Sequence, residues 1–282
     1  MERQLIEGEA GLPVAKLRAS AGVGLWPSTL SFARNLVPPV LALSLAVGAW
    51  EAWVRLRDVP EYLVPAPSVI VQRLAEDPAF FARQGGTTLY GALAGFTLGS
   101  TIAILLAVAM AHSRFLERSL FPIAIMIKVT PIVAIAPLLA VWFGFGLAPK
   151  LFIIALIVFF PVMVNTVIGL RSVNPWALQY LQSLAASPWE VLIKLRLPSA
   201  LPYLFAAFKV SIPLSVIGAV VAEWFSGDEG LGRVIQISNS NVDMPTAFAA
   251  IVSLATMGIA LYVVVSVIER RLLSWHESAI ET

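Results

Sequence analysis

Lys128, in "IMIKVTPIV", and Lys209, in "LFAAFKVSIPL", each interrupt an otherwise apolar run. An ionised side chain inside hydrocarbon is costly and by default marks a path for ions or solutes. Lys128 lies ten residues past Arg118, or about 15 Å along a helix. Lys209 lies nine past Ala200, or about 14 Å by the same rise. The two should therefore reach similar depth. No acid is expected to share it, because Glu223 is roughly 21 Å beyond Lys209. Two unpaired cations could face an anionic or carbonyl-rich solute. The competing reading is that each stem snorkels to the cytosolic interface. Thr130, Asn165, Thr166 and Ser211 place hydroxyl and amide groups within the same apolar runs. They either line a cavity or bond across helices. This chemistry is binding, not bond-making. His112 and His276 stand alone, cysteine is absent, and no carboxylate pair, triad or metal-ligand cluster occurs. A G-x-x-x-x-G-K-[ST] phosphate loop is also missing, so the chain should not bind ATP itself.

Composition says what must position these groups. Of 282 residues, 59% are hydrophobic and only 13% charged, and mean hydropathy is +0.85. A soluble domain carries about 25% charge, so a bilayer is the expected solvent. Six runs are long enough to span: Leu36 to Leu56, Thr87 to Ala111, Leu120 to Phe143, Leu151 to Leu170, Ala200 to Ala222 and Ala247 to Ile268. Backbone groups in hydrocarbon must bond internally, so an all-α membrane protein follows. Pro122, Pro131, Pro137 and Pro213 predict kinks or unwinding in the third and fifth runs. Gly91, Gly95 and Gly99 form a small-residue ridge suited to close helix packing. Eleven of the 19 Lys and Arg residues fall on one set of connections and six on the other. The bias puts both termini and the long 171–199 connection in the cytosol. Lys150 then belongs to an outer connection, and Glu223, Asp228 and Glu229 to an acidic outer loop. That loop either contacts a delivery protein or is simply solvated.

The 171–199 connection carries helix punctuation twice. In "NPWALQYLQSLA", Asn174 is the expected N-cap and Pro175 the first helical residue. In "SPWEVLIKLR", Ser187, Pro188 and Glu190 form a capping-box pattern. The second helix should stop before Pro198. Trp176, Tyr180, Leu181 and Leu184 share one side of the first helix. Trp189, Leu192, Ile193 and Arg196 share one side of the second. Two readings fit such aromatics, docking onto a partner or burial among lipid headgroups.

The connection resembles the cytoplasmic EAA loop of bacterial ABC-importer permeases, whose pattern is E-A-A, three residues, G, nine residues, I-x-L-P. Ala185 stands at the glycine, and Leu195, Arg196, Leu197 and Pro198 at the end of the pattern. Gln179, Tyr180 and Leu181 replace E-A-A. "TPIVAIAPLLAVWFGFGLAPKLFIIALIVFFPVMVNTVIGLRSV", "VPEYLVPAPSVIVQRL" and "EGLGRVI" resemble the nitrate/sulfonate/taurine permease family. "LPYLFAAFKVSIPLSVIGAVVAEWFSGDEGLG" resembles its thiamine-precursor and riboflavin branch.

The resemblance implies a type I ABC importer-like fold of six transmembrane helices with a cytoplasmic coupling-helix loop. It further implies a multi-pass protein of the bacterial cytoplasmic membrane. A permease domain over 35–275 would lie between tails 1–34 and 276–282. The chain would pair with a second permease copy, two ABC ATPase subunits that bind ATP and Mg, and an extracytoplasmic substrate-binding protein. It would be no enzyme, and would pass a small organic or anionic nutrient: nitrate, sulfonate or taurine, or a pyrimidine precursor or riboflavin. Gln179, Ala185, Ser187, Trp189, Glu190, Leu195, Leu197 and Pro198 would meet the ATPase. Lys128, Thr130, Asn165, Lys209 and Ser211 are the pathway candidates. Membrane lipid is an expected partner and nucleic acid is not. The rival class is a self-sufficient secondary transporter or channel. An inverted-repeat transporter would show related halves, which this sequence lacks.

Overall fold

The structure, a computed structural model, describes residues 29 to 273 except Asp228. The chain divides into two compact units, Met1–Ala52 and Trp53–Thr282. Most of helix α1 (Thr29–Leu56) lies in the first unit. It begins ahead of the expected Leu36, and its stretch Val37–Leu56 is long and apolar enough to cross a membrane. The rest of the N-terminal tail and residues 274–282 lie outside the described residues.

The core of the second unit is a trio of long helices, α3 (Pro78–His112), α6 (Leu147–Arg171) and α9 (Leu197–Ser226). The glycine ridge explains how closely they approach. A Cβ added at Gly95 would lie 2.5 Å from Ile154 Cβ, and one at Gly99 2.7 Å from the Ala155 carbonyl oxygen. In lipid, where apolar faces gain little by leaving the solvent, such close van der Waals packing is what joins helices. Around this seam Met110, Ile154, Val158, Val162, Met163, Val216 and Ala219 are buried.

The expected third span is not one helix. It is α4 (Arg114–Val129) and α5 (Ile132–Phe143), bent by 96° at Thr130–Pro131. Pro131 has no N–H and pushes the residue before it out of the helical region. Thr130 is accordingly extended, at φ −72° and ψ 126°. Pro122 and Pro137 stay within α4 and α5, and Pro202 and Pro213 within α9, so no unwinding follows there. Among the described residues, five helices are long and apolar enough to cross a bilayer, and the bent pair makes six if it counts as one span.

Two short helices fall in segments the sequence reading left as connections, α2 (Pro67–Glu76) and α10 (Leu231–Ser240). Both lean on α11 (Met244–Leu272). Arg73 fixes α2 there, with Nε donating to Thr246 Oγ1 at 2.9 Å. Two more lie in the 171–199 connection, α7 (Pro175–Ser183) and α8 (Pro188–Val191).

Candidate coupling and pathway sites

Local chemistry builds the 171–199 connection as expected at its starts. Trp176 N donates to Asn174 Oδ1 at 2.9 Å and caps α7. Ser187 and Glu190 close a reciprocal capping box at α8: Ser187 N donates to Glu190 Oε2 at 2.9 Å, and Glu190 N to Ser187 Oγ at 3.3 Å. The Ser187 backbone N–H, and after it the Lys194 ammonium, hold the Glu190 carboxyl below the ordinary glutamate range.

Between the helices, Ala185 sits at φ +54°, in the left-handed region. Ala186 N reaches Leu181 O at 3.1 Å and Ala185 N reaches Gln182 O at 3.0 Å, the paired bonds of a Schellman turn. The glycine of the EAA pattern thus stands where a Cβ is penalised. Ala185→Gly is expected to stabilise the full chain by up to about 1 kcal/mol. A higher melting temperature and slower proteolysis within 180–190 would report it. A lower melting temperature would mean that Cβ contacts outweigh the backbone term.

The second helix does not stop before Pro198. After α8 the chain makes a π turn over Leu192–Arg196 and continues directly as α9. Leu197 N bonds to Leu192 O, five residues back. Widening by one residue lets the helix pass a proline that offers no N–H and whose ring would clash with the carbonyl four residues earlier. Leu195 and Pro198 therefore lie on a continuous rod, Leu195 half-buried and Pro198 exposed, with Leu197 exposed beside them.

The faces also differ from expectation. Leu192 is 2% exposed and packs with Leu170 and Ala200. Arg196 turns to the bundle as well, donating Nη1 to Ala111 O at 3.2 Å. Trp189 is instead 65% exposed, and Ile193 is exposed with it. On α7, Trp176 is 78% exposed and Tyr180, Leu184 and Gln179 are exposed, while Leu181 is half-buried. The outward set is thus Trp176, Tyr180, Leu184, Trp189 and Ile193.

Of the pathway candidates, Lys128 lies in the last turn of α4 beside the break, exposed, with Nζ 4.5 Å from the Phe160 ring centroid. No carboxylate pairs with it among the described residues. A cation over an aromatic face is attracted by the ring quadrupole. Thr130 donates its hydroxyl to Met126 O at 2.7 Å, within α4's last turn. Asn165 and Thr166 likewise bond up their own helix, to Pro161 O and Val162 O. Ser211 is fully buried and its Oγ has no hydrogen-bond partner among the described residues. Lys209 is not unpaired: its Nζ lies 2.7 Å from Glu269 Oε2, tying α9 to α11. Glu269 stands one residue beyond the apolar run that defined the sixth span, and a lysine stem covers that offset.

Sequence reasoning missed the most tightly held group. Glu223 is completely buried, not part of a solvated loop, and Lys150 is buried beside it, not in an outer connection. Glu223 Oε1 accepts from Lys150 Nζ at 2.9 Å. Its Oε2 accepts from Gly232 N at 2.8 Å and lies 3.1 Å from Thr88 Oγ1. Gly230 N donates to Gln84 Oε1 at 2.7 Å, and Leu231 N to Thr88 Oγ1 at 2.9 Å. The 229–232 turn is thereby bolted to α3, α6 and α9. Gly230 has φ +120°, and a Cβ on it would overlap the Glu223 carboxylate. The usable signal was "EGLG" downstream of a glutamate that closes an apolar run.

A family model described as "Binding-protein-dependent transport system inner membrane component" matches residues 99–274. The riboflavin transport system permease protein RibX of Chloroflexus aurantiacus is 36% identical over 240 residues, covering 84% of this chain and 90% of that protein. The formylaminopyrimidine transport permease protein ThiX of Halalkalibacterium halodurans is 31% identical, covering 85% of this chain and 96% of that protein. The taurine transport system permease protein TauC of Escherichia coli is 26% identical, covering 89% and 92%. Among solved structures, an inward-facing MetNI methionine ABC transporter matches with a TM-score of 0.55 at 18% identity, covering 68% of this chain and 95% of that one. That last likeness is one of fold.

Proposed function

The chain belongs to the binding-protein-dependent transport system inner membrane component family and is a permease subunit of an ABC importer; from that premise we propose that it passes a small heteroaromatic nutrient of the riboflavin or pyrimidine type. The observation that carries the substrate class is the 36% identity to a riboflavin permease along 90% of that protein's length, against 26% to a taurine permease. The transported molecule would arrive on an extracytoplasmic binding protein. Two copies of the chain would enclose the path, and two partner ATPases would bind ATP and Mg on the cytosolic side. Both termini belong on that side by the charge bias.

Force transmission follows from the helix that passes Pro198. Pro188–Ser226 is one helical rod of 39 residues, on the order of 58 Å by the α-helical rise. A push on Trp189 and Ile193 by closing ATPases would travel along it. The far end is gripped through Glu223 by the 229–232 turn. Ser187 and Glu190 hold the pushed end in shape, and Ala185 sets its angle to α7. Gln179, Leu195, Leu197 and Pro198 complete the region that would meet the ATPase. Lys128, at the α4–α5 break with its ammonium over Phe160, is the pathway residue we favour. Thr130, Asn165, Lys209 and Ser211 remain pathway candidates beside it.

The test is uptake into proteoliposomes holding the chain, its ATPase and its binding protein. Riboflavin or a formylaminopyrimidine should enter with ATP, and taurine should not. Uptake of taurine alone would overturn the substrate class, and full uptake without ATP would overturn the coupling. Lys128→Met should lower uptake strongly while ATPase binding stays near wild type. Wild-type uptake in both Lys128→Met and Lys128→Gln would remove Lys128 from the path.

A further inference from the structure

Where α3 ends, α4 begins, α6 ends and the π turn passes, the bundle holds a cavity of about 540 Å³. Arg114, Arg118, Arg171, Arg196, His112 and Glu117 line it. Four guanidinium groups thus share one carboxylate, and that carboxylate is already engaged. Arg171 grips Glu117 with both nitrogens, Nη1 to Oε1 at 2.5 Å and Nη2 to Oε2 at 2.6 Å. Arg196 spends Nη1 on the Ala111 carbonyl, and its Nε is buried with no hydrogen-bond partner among the described residues. Arg114 and Arg118 make no hydrogen bond and no ion pair among the described residues, and both are exposed. Among the described residues, Glu117 is the one carboxylate set against these four guanidinium groups.

Chemistry and depth narrow what fills it. Guanidinium forks match the paired oxygens of a phosphate group. The volume is that of a small-molecule site. Arg114 follows the last residues of apolar α3, and Arg171 closes apolar α6, so the cavity sits at the membrane edge. Phe115, 77% exposed, follows Arg114 in the first turn of α4 and adds an apolar side chain at this end of the helix. Basic pockets between spanning helices at this depth take phosphate headgroups. We propose that this cavity binds the phosphate headgroup of an anionic membrane lipid, clamped by Arg114 and Arg118 with Arg196 as a third donor. Arg196 belongs to the turn joining α8 to α9, so a bound headgroup ties the docking helix to the start of α4. The site rests only on the chain lying in a bilayer, not on what it transports.

Lipid retention by the purified full chain, read by native mass spectrometry, tests the site independently of uptake. Phosphatidylglycerol and phosphatidylcholine are titrated against wild type, Arg114→Gln/Arg118→Gln, Arg118→Gln alone, and a control with the same charge loss, Arg57→Gln/Arg83→Gln. Wild type and the control should retain phosphatidylglycerol over phosphatidylcholine. The double variant should lose it by roughly 30-fold, from the attraction of two basic residues to anionic lipid, and Arg118→Gln by an intermediate amount. Inorganic phosphate in excess should fail to displace the lipid. Equal retention by wild type, double and single variant overturns the proposal, as does loss in the control alone. Displacement by inorganic phosphate reassigns the cavity to free anions and overturns the lipid source.

Discussion

Glu223→Gln is expected to destabilise the chain by about 3–5 kcal/mol, the cost of breaking a buried ion pair by removing one partner. The amide keeps the size of the side chain but not its charge. Lys150, 5% exposed, would lose the carboxylate that its ammonium faces. One of the two positions now accepting from Gly232 and Lys150 would carry an NH₂ group facing another donor. The penalty falls on the 229–232 turn first, because Gly230, Leu231 and Gly232 all donate into this cluster. Lys150→Met should destabilise less, since Gly232 and Thr88 still face the carboxylate. In Lys150→Met/Glu223→Met the losses should fall short of their sum, because the apolar pair carries no stranded charge. Thermal melting of the purified chain, with its elution profile in size exclusion, reads all three. A wild-type melting temperature for Glu223→Gln would show that the carboxylate does not hold the turn.

Trp189→Ala should weaken association with the ATPase by about 2 kcal/mol or more, roughly 30-fold, as for a truncated aromatic anchor. The fold should survive, because the Trp189 side chain is mostly outside it. Leu192→Ala supplies the contrast. Leu192 is buried against Leu170 and Ala200, so its truncation should cost the chain itself about 2–5 kcal/mol. Binding and melting measured on both variants separate the outward face from the inward one. Full ATPase binding by Trp189→Ala, alone and with Ile193→Ala, would place the docking face elsewhere on the 171–199 connection.

The residues that were legible in the sequence are those whose reasons are local. Asn174, Ser187 and Glu190 cap helices through bonds spanning two or three residues, so the spacing suffices to place them. Gly91, Gly95 and Gly99 repeat at the spacing of one helix face and can serve only a close neighbour. Apolar runs of some 20 residues dictate spanning helices because lipid leaves the backbone no other partner. The hydrogen bond lost at Pro131 is a covalent fact and legible, but Pro122 and Pro137 lose the same bond and stay within their helices, so the break itself was not.

Tertiary structure alone decided the rest. Glu223 and Lys150 are 73 residues apart, and nothing local tells a sequence which helix ends will adjoin. The same holds for Lys209 and Glu269, whose pairing depends on α9 lying against α11. In lipid, apolar character cannot separate a packed face from one that meets the membrane, so Leu192 and Trp189 read alike until the bundle was placed beside them. The 96° turn at Pro131 and the passage through Pro198 are the sharpest case. Both prolines lack the same donor. One ended its helix, while Pro122, Pro137, Pro202 and Pro213, which lack the same donor, stay inside theirs. The other follows a π turn, and the rod ran on.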